Sequence, residues 1–281
     1  MNEFVYLPEN LDEALEIRAS TGAVPIAGGT DLMVRYRRGS GIPPQFDFPV
    51  MLIGKIDALR YIEVSADNIR IGSATTLTEI FRNEDVPQIL KLAVGEMASP
   101  AIRNVAAIGG NIGNASPAGD TLPPLYILDA KIVLKNLNGE REVPIEDFIT
   151  GPGQTILRSD EIIYEVTIPI GNFDKIYYRK IGTRKALALS KVSFSAAMNY
   201  RGDVIDDMRF AFGAVAPVVI RSREIEGEFK NITFDELKNR AGEIAQKYSP
   251  LINPIDDQRS TAEYRRKVSL RLLKFFIQNV I

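Results

Sequence analysis

The sequence predicts an α+β protein, and three observations carry that prediction. Short apolar runs alternate with helical patterns over the first 55 or so residues. Turn signals at Ser65-Ala66-Asp67-Asn68 and Asn138-Gly139 then join pairs of strand-like segments into hairpins. Beyond Gly171-Asn172, three alternating segments are followed by two long helical stretches, the pattern of an antiparallel sheet with helices added to it.

In chain order, Asn10-Leu11-Asp12-Glu13 reads as an N-cap opening a helix through Ile17. Ala23 to Ile26 reads as a buried strand running into Gly28-Gly29, with a helix from Asp31 to Arg38 and a strand from Val50 to Ile53. These elements form a small α/β lobe. Strands follow at Tyr61–Val64 and Ile69–Ile71, then helices at Leu77–Arg82 and Val86–Ala98. A glycine-rich loop over Ile108–Gly113 leads to a helix through Leu125–Leu128. Strands are read at Lys131–Lys135, Arg141–Val143 and Ile162–Ile168. The last part holds strands at Lys175–Ile181, Val192–Tyr200 and Met208–Val215, and helices at Phe234–Tyr248 and Ala262–Asn279.

Composition narrows the function. The 281 residues are 45% hydrophobic and 25% charged, with 34 basic and 36 acidic side chains and a net charge of −2. That balance favours neither nucleic acid nor a membrane surface as partner. No apolar run approaches the length of a membrane span. Met1-Asn2-Glu3-Phe4 lacks the basic-then-apolar pattern of a secretory signal, so the cytoplasm is the expected location. The chain has no cysteine and no histidine. Thiolate-held clusters, Cys/His zinc sites, disulfides and histidine-based triads are therefore excluded, and no metal site or catalytic acid–base pair is expected. Redox chemistry here requires an organic cofactor.

Two glycine-rich turns are the candidate site: Ile26-Ala27-Gly28-Gly29-Thr30-Asp31 and Ile108-Gly109-Gly110-Asn111. Paired glycines let backbone amides approach a phosphate without interference from Cβ, and two such turns can grip one pyrophosphate. Neither has the spacing of a Rossmann fingerprint or a Walker loop. Taken singly, either turn is ordinary structural material.

The long run from Ala98 to Asp120, Ala98-Ser99-Pro100-Ala101-Ile102-Arg103-Asn104-Val105-Ala106-Ala107-Ile108-Gly109-Gly110-Asn111-Ile112-Gly113-Asn114-Ala115-Ser116-Pro117-Ala118-Gly119-Asp120, resembles the FAD-binding segment of the molybdenum hydroxylase flavoproteins. That family includes the medium subunits of aerobic carbon monoxide dehydrogenases and the central portion of xanthine dehydrogenases. Ala27 to Leu32 is similar to its other FAD loop, and Tyr178 to Gly182, on to Val192, is similar to a third segment. The resemblance implies a two-lobed FAD-binding fold of the PCMH (vanillyl-alcohol-oxidase-like) type plus a C-terminal α+β domain with an antiparallel sheet. The expected divisions are residues 1–55, 56–171 and 172–281.

The resemblance also assigns residues. Ile26, Ala27, Gly28, Gly29, Thr30, Asp31 and Leu32, with Ala107, Ile108, Gly109, Gly110 and Asn111, would line the pyrophosphate, mainly through backbone amides. Ser116 belongs to the same FAD segment, and Asp120 would accept from ribityl or ribose hydroxyls. Met97 falls where relatives place an aromatic residue, Lys180 matches a lysine near the flavin, and Ile163 lies on a strand packed nearby. Read from residue type alone, Asp120 is equally the cap of the following helix, Met97 is core and Lys180 a solvated strand residue. Arg103 and Asn104 read as loop braces, and Arg184-Lys185 as an attractor for an anionic acceptor or a solvent-facing pair. The segment Ala186-Leu187-Ala188-Leu189-Ser190 aligns near the flavin edge and is apolar where some relatives carry acids, which leaves the final acceptor open.

The implied function is electron relay through FAD. A large molybdenum-cofactor subunit and a small [2Fe–2S] subunit would be partners, in a dimer of heterotrimers, with NAD, oxygen or a quinone as terminal acceptor. A stand-alone flavin oxidoreductase and a non-catalytic interaction protein are the alternatives. With no histidine or cysteine, FAD linked through either residue is impossible.

Overall fold

A computed structural model describes residues Val5–Val280, so the reading of Met1–Phe4 lies outside the described residues. The chain folds as two compact bodies. One comprises residues up to Val86, Ala98–Ala115 and Ala130–Ile170. The other comprises Pro87–Met97, Ser116–Asp129 and the chain from Gly171 onward.

The first body contains two main sheets. Strands β1 (Val5–Tyr6), β2 (Val24–Ile26) and β3 (Val50–Leu52) form a parallel sheet in the order β1-β3-β2. Pro25 is tolerated because β2 is an edge strand, where a missing amide breaks no ladder. The helix Leu11–Thr21 joins β1 to β2. Asn10 accepts from the Glu13 amide at 3.0 Å and caps it, as the sequence predicts. The helix continues four residues past Ile17, until Gly22 takes a left-handed conformation (φ 67°) and donates back to the Arg18 carbonyl. The buried Arg18 guanidinium ties this end down through the carbonyls of Gly22, Ala23 and Glu161, at 2.8, 2.9 and 2.9 Å. Ala14 and Leu15 of the helix pack on Met51, Ile53, Ile56, Leu59 and Ile162.

Strands β4 (Ile62–Val64), β5 (Asn68–Gly72), β6 (Lys131–Asn136), β7 (Gly139–Pro144) and β10 (Ile162–Pro169) form an antiparallel sheet ordered β4-β5-β10-β6-β7. Both predicted hairpins are present, β4 with β5 and β6 with β7. A small pair, β8 (Ile149–Gly151) and β9 (Gln154–Thr155), stands apart.

In the second body, β11 (Lys175–Ile181), β12 (Val192–Arg201) and β13 (Val204–Gly213) form an antiparallel sheet. The residues of one face, Phe194, Ala196, Met198, Phe210 and Phe212, are fully buried with Tyr248, Leu273 and Phe276 from the helices Ala241–Tyr248 and Ala262–Phe275 and the π-turn that ends the latter. The opposite face is built of small residues: a Cβ on Gly213 would lie 2.4 Å from Ser193 and 2.9 Å from Pro123. That leaves room for the short helix Leu122–Ile127 to lie directly on β12 and β13.

Three elements differ from the sequence reading. The helix after the first glycine turn is only Leu32–Arg35, and the next residue, Tyr36, packs its ring tilted against Phe46 and edge-on to Phe48, with centroids 5.2 Å from each. The single helix expected over Phe234–Tyr248 is two helices, Phe234–Asn239 and Ala241–Tyr248, broken at Arg240. The glycine-rich segment Ile108–Gly113 is a helical turn and not a loop.

The aromatic face of the second sheet sets its stability. Phe210→Ala should cost about 3–5 kcal/mol, since it removes a fully buried ring from between Phe194, Tyr248 and Phe276. Urea denaturation measures it, and a loss below about 1 kcal/mol would mean the face is not the core described.

Candidate functional site: a glycine cradle and a buried carboxylate

The first glycine turn leaves the end of β2. Ile26 accepts from the Ile53 amide at 2.9 Å, which ends the ladder, and the chain then turns through Gly28 and Gly29. A Cβ on Gly28 would sit 1.8 Å from the Val105 carbonyl oxygen and 2.9 Å from the Ala106 Cα. Gly28 is therefore required by a backbone-to-backbone contact. Gly29 takes φ +64°, a left-handed conformation that glycine adopts without strain. Beyond it, the amides of Gly28, Gly29, Thr30, Asp31 and Leu32 make no hydrogen bond to any described residue. The helix they open has four residues, so any anion there is held by the amides themselves rather than by a helix dipole.

The second segment is held against the chain between Ser73 and Leu77. The Leu77 amide donates to Ala106 at 2.8 Å, Ile108 donates to Thr75 at 3.1 Å, and Gly109 donates to Ser73 at 2.9 Å. Gly109 is forced, because a Cβ there would lie 2.5 Å from the Ser73 Cβ. Gly113 approaches β10, where its Cβ would stand 3.1 Å from Ile163 Cδ1, so Ile163 supports this helical turn from beneath. Gly110 differs from these neighbours: it is exposed, has ordinary backbone angles, and a Cβ built on it meets nothing within 4 Å. Packing does not call for a glycine there.

The first body thus brings the predicted turns together, since Gly28 rests on the two residues that precede Ala107. Arg103 donates to the Ala98 carbonyl at 3.4 Å and Asn104 accepts from Thr78 at 2.7 Å, which makes both braces of this segment.

The second body holds Met97, Ser116, Asp120 and Lys180. Asp120 is buried, and Lys180 donates to its Oδ2 at 2.6 Å while reaching the Glu96 carbonyl at 3.3 Å. Ser190 donates to Asp120 Oδ1. The Tyr178 hydroxyl is buried beside the carboxylate without a well-aligned hydrogen bond. Burial raises the Asp120 pKa above the ordinary carboxylate range, against the opposing pull of Lys180, Ser190 and Tyr178. Burial and the Asp120 charge push the Tyr178 hydroxyl up in turn. Asp120 caps no helix: Thr121 occupies the cap position of Leu122–Ile127, and its side chain makes no capping bond to the helix amides. Lys180 is no solvated strand residue either, with 8% of its side chain exposed. Met97 is buried one residue beyond Glu96, and Ser116 accepts from Ala118 in a turn.

The sequence reading placed Ser190 in the apolar segment near the flavin edge but gave its hydroxyl no role, since one serine at the end of an apolar run gives no pattern of its own. It also missed a cluster around Asp129, where Arg209, Arg221 and Arg223 converge on one carboxylate at 2.5–2.6 Å. With Asp207, Glu226 and Lys230, the three arginines line a cavity of about 190 Å³, in which every one of these charges has a partner. Arg184 donates to the Ala186 and Leu187 carbonyls, at 3.0 and 2.7 Å, and so braces its own loop.

The first body thus presents amides of Gly28–Leu32 with no partner among the described residues and an uncrowded Gly110, and the second, by itself, a buried carboxylate held by Lys180 and Ser190. Residues 2–171 match the model of the FAD binding domain in molybdopterin dehydrogenase, and residues 177–280 match that of the CO dehydrogenase flavoprotein C-terminal domain. The chain belongs to this family of FAD-binding flavoproteins and is of the oxidoreductase class. It is 31% identical to the glyceraldehyde dehydrogenase medium chain of Sulfolobus acidocaldarius, over 95% of this chain and 94% of that one. It is 30% identical to the xanthine dehydrogenase FAD-binding subunit of Escherichia coli O157:H7, over 91% and 86% respectively. In fold it matches a chain of the carbon monoxide dehydrogenase of Hydrogenophaga pseudoflava, with a TM-score of 0.85 at 23% identity, covering 96% of this chain and 94% of that one.

The packing glycines separate from Gly110 by experiment. Gly28→Ala should destabilise the protein by about 3 kcal/mol or more, because Val105 offers only backbone to give way. Chemical denaturation measures it, and a loss below about 1 kcal/mol would contradict the contact.

Proposed function

We propose that the chain is the medium, FAD-carrying subunit of a molybdenum hydroxylase complex. It takes electrons from [2Fe–2S] clusters of a small partner subunit and passes them to a terminal acceptor, NAD, oxygen or a quinone. A large subunit with the molybdenum cofactor performs the substrate chemistry, in a dimer of heterotrimers located in the cytoplasm. Names of relatives support the medium-subunit reading. The absence of cysteine and histidine supports the need for partners, since this chain supplies no thiolate or imidazole to hold a cluster. Among the described residues no helix is long and apolar enough to cross a membrane.

Bound FAD supplies a carrier that accepts electrons and releases them singly or in pairs. The chain's own residues bind and orient it. Backbone amides from Ala27 to Leu32, with those of Ala107 and Gly110, hold the pyrophosphate, and Ile26 ends the strand that aims the first turn; the amides of Ile108, Gly109 and Asn111, expected to share in this, donate instead to Thr75, Ser73 and Ala107 within the fold. Asp120 accepts from a hydroxyl of the ribityl or ribose chain, with Ser116 in the same segment. The resemblance to the family assigns Lys180, Met97 and Ile163 each to the flavin end, and the proposal keeps its division of the sequence into residues 1–55, 56–171 and 172–281.

The observation that carries this reading is the empty space over Gly110, flanked by glycines that packing explains. A hydrogen bond from an amide to a charged phosphate is worth about 1.5–3 kcal/mol, so losing one weakens binding tenfold or more. Gly110→Val should leave the fold intact, at a helix-propensity change of less than about 1 kcal/mol, yet abolish FAD retention. Flavin absorbance per chain after purification reads this. A variant that folds and keeps one flavin per chain would contradict the assignment.

A further inference from the structure

Ser190 closes the loop between β11 and β12, and its side chain is fully buried. A buried hydroxyl needs a partner, and the only acceptor its hydrogen bond uses among the described residues is Asp120 Oδ1. The other carboxylate oxygen takes the Lys180 ammonium at 2.6 Å. An ionised carboxylate offers about four lone-pair positions, so a single donor on each oxygen leaves acceptor capacity on both. The two donors come from different elements, Lys180 from β11 and Ser190 from the following loop, and together they fix the plane of the carboxylate.

We propose that Ser190 is a positioning residue: its hydroxyl holds Asp120 in the orientation that accepts a polyol hydroxyl of FAD, and so couples the loop of residues 182–191 to cofactor retention. This rests on the FAD reading given above. The loop is ordered ahead of Ser190 by Arg184, whose guanidinium takes the Ala186 and Leu187 carbonyls. Behind Ser190, the Lys191 amide donates to Ile181 at 2.8 Å and starts the β11–β12 ladder. The hydroxyl is thus delivered from a braced loop onto a carboxylate anchored on the segment before the helix Leu122–Ile127. Apart from Ser190, the titratable groups facing Asp120 are Lys180 and Tyr178 from β11 and Glu96 at the end of the helix Gln88–Gly95. Removing Lys180 would strand a buried charge, whereas removing the Ser190 hydroxyl takes away one hydrogen bond and leaves the ion pair.

The test is FAD affinity against pH, measured by flavin fluorescence on the full chain, for wild type, Ser190→Ala and Ser190→Thr. Ser190→Ala should weaken FAD binding about 3- to 10-fold. Acceptance requires the ionised carboxylate, so wild-type affinity falls as pH drops through the Asp120 pKa. The Ser190 bond holds that pKa down, so without it the fall begins at higher pH. Ser190→Thr keeps the hydroxyl and should keep the wild-type pH midpoint. An Ala variant that melts at lower temperature but has unchanged affinity and pH midpoint would overturn the proposal, leaving Ser190 a packing residue. Should the Ala variant not fold, Ser190→Cys, of similar size and a much weaker donor, is read by the same criteria. Wild-type protein that takes up no FAD would overturn the cofactor reading itself. Wild-type uptake with an unaltered Ala variant overturns only the role of Ser190.

Discussion

The contact between Gly28 and the backbone of Val105–Ala106 is the constraint on which the cradle depends. No side chain fits at Gly28, because the Val105 carbonyl occupies the place of its Cβ. The first glycine turn is therefore pressed onto the chain immediately before Ala107–Asn111, although some 80 residues of sequence separate the two. Hydrogen bonds from Leu77, Ile108 and Gly109 hold the second segment in turn on the strand-to-helix corner at Ser73–Leu77. Once both are fixed, the amides of Gly28–Leu32 have no partner among the described residues, and a Cβ on Gly110 would meet nothing within 4 Å. On the proposed reading, phosphate oxygens are the partners that these amides take.

A second constraint shapes the other body. The small-residue face of β12 and β13 admits the helix Leu122–Ile127 at close range, and this brings Asp120 within reach of Lys180 and Ser190. Burying a carboxylate is costly unless it is paired and hydrogen-bonded, and Asp120 has both kinds of partner. Desolvation still leaves its pKa raised, so its charge depends on all of its donors being in place. The Asp129 cluster shows the contrasting case. There the arginines draw the carboxylate pKa below its ordinary value, and every charge is spent within the fold.

Much of this was legible in the sequence, for identifiable reasons. Asn10 and the two hairpin turns act locally, so the helix start and the strand pairs they bound could be placed from residue type, whereas the sequence pattern ends the helix at Ile17 and misses the stop at Gly22. The alternation read in Lys175–Ile181, Val192–Tyr200 and Met208–Val215 reports a sheet with one buried face, and it survives in the burial of Phe194, Phe210 and Phe212, although the last strand runs over Val204–Gly213. What failed to show was set by contacts distant in sequence. Ile108–Gly113 reads as a loop because three glycines lack helix propensity, but pairing with Ser73 and Thr75 imposes a helical turn. Glycines 28, 109 and 110 look alike in sequence, and only their surroundings separate packing from an open cradle. The bond from Ser190 to Asp120 did not show because one serine after Ala-Leu-Ala-Leu carries no spacing that points to a partner 70 residues away. The resemblance to the molybdenum hydroxylase flavoproteins supplied what residue type could not, the identity of the anion.

The central claim is that backbone amides at the two glycine turns hold a pyrophosphate. It is tested most directly by titrating the cofactor-free protein with FAD and with riboflavin, which shares the isoalloxazine and the ribityl chain but has no phosphate. The account predicts saturable binding of one FAD per chain and riboflavin binding weaker by a factor of at least about 100, as expected when two or more charged hydrogen bonds are lost. Riboflavin binding as tight as FAD would contradict it.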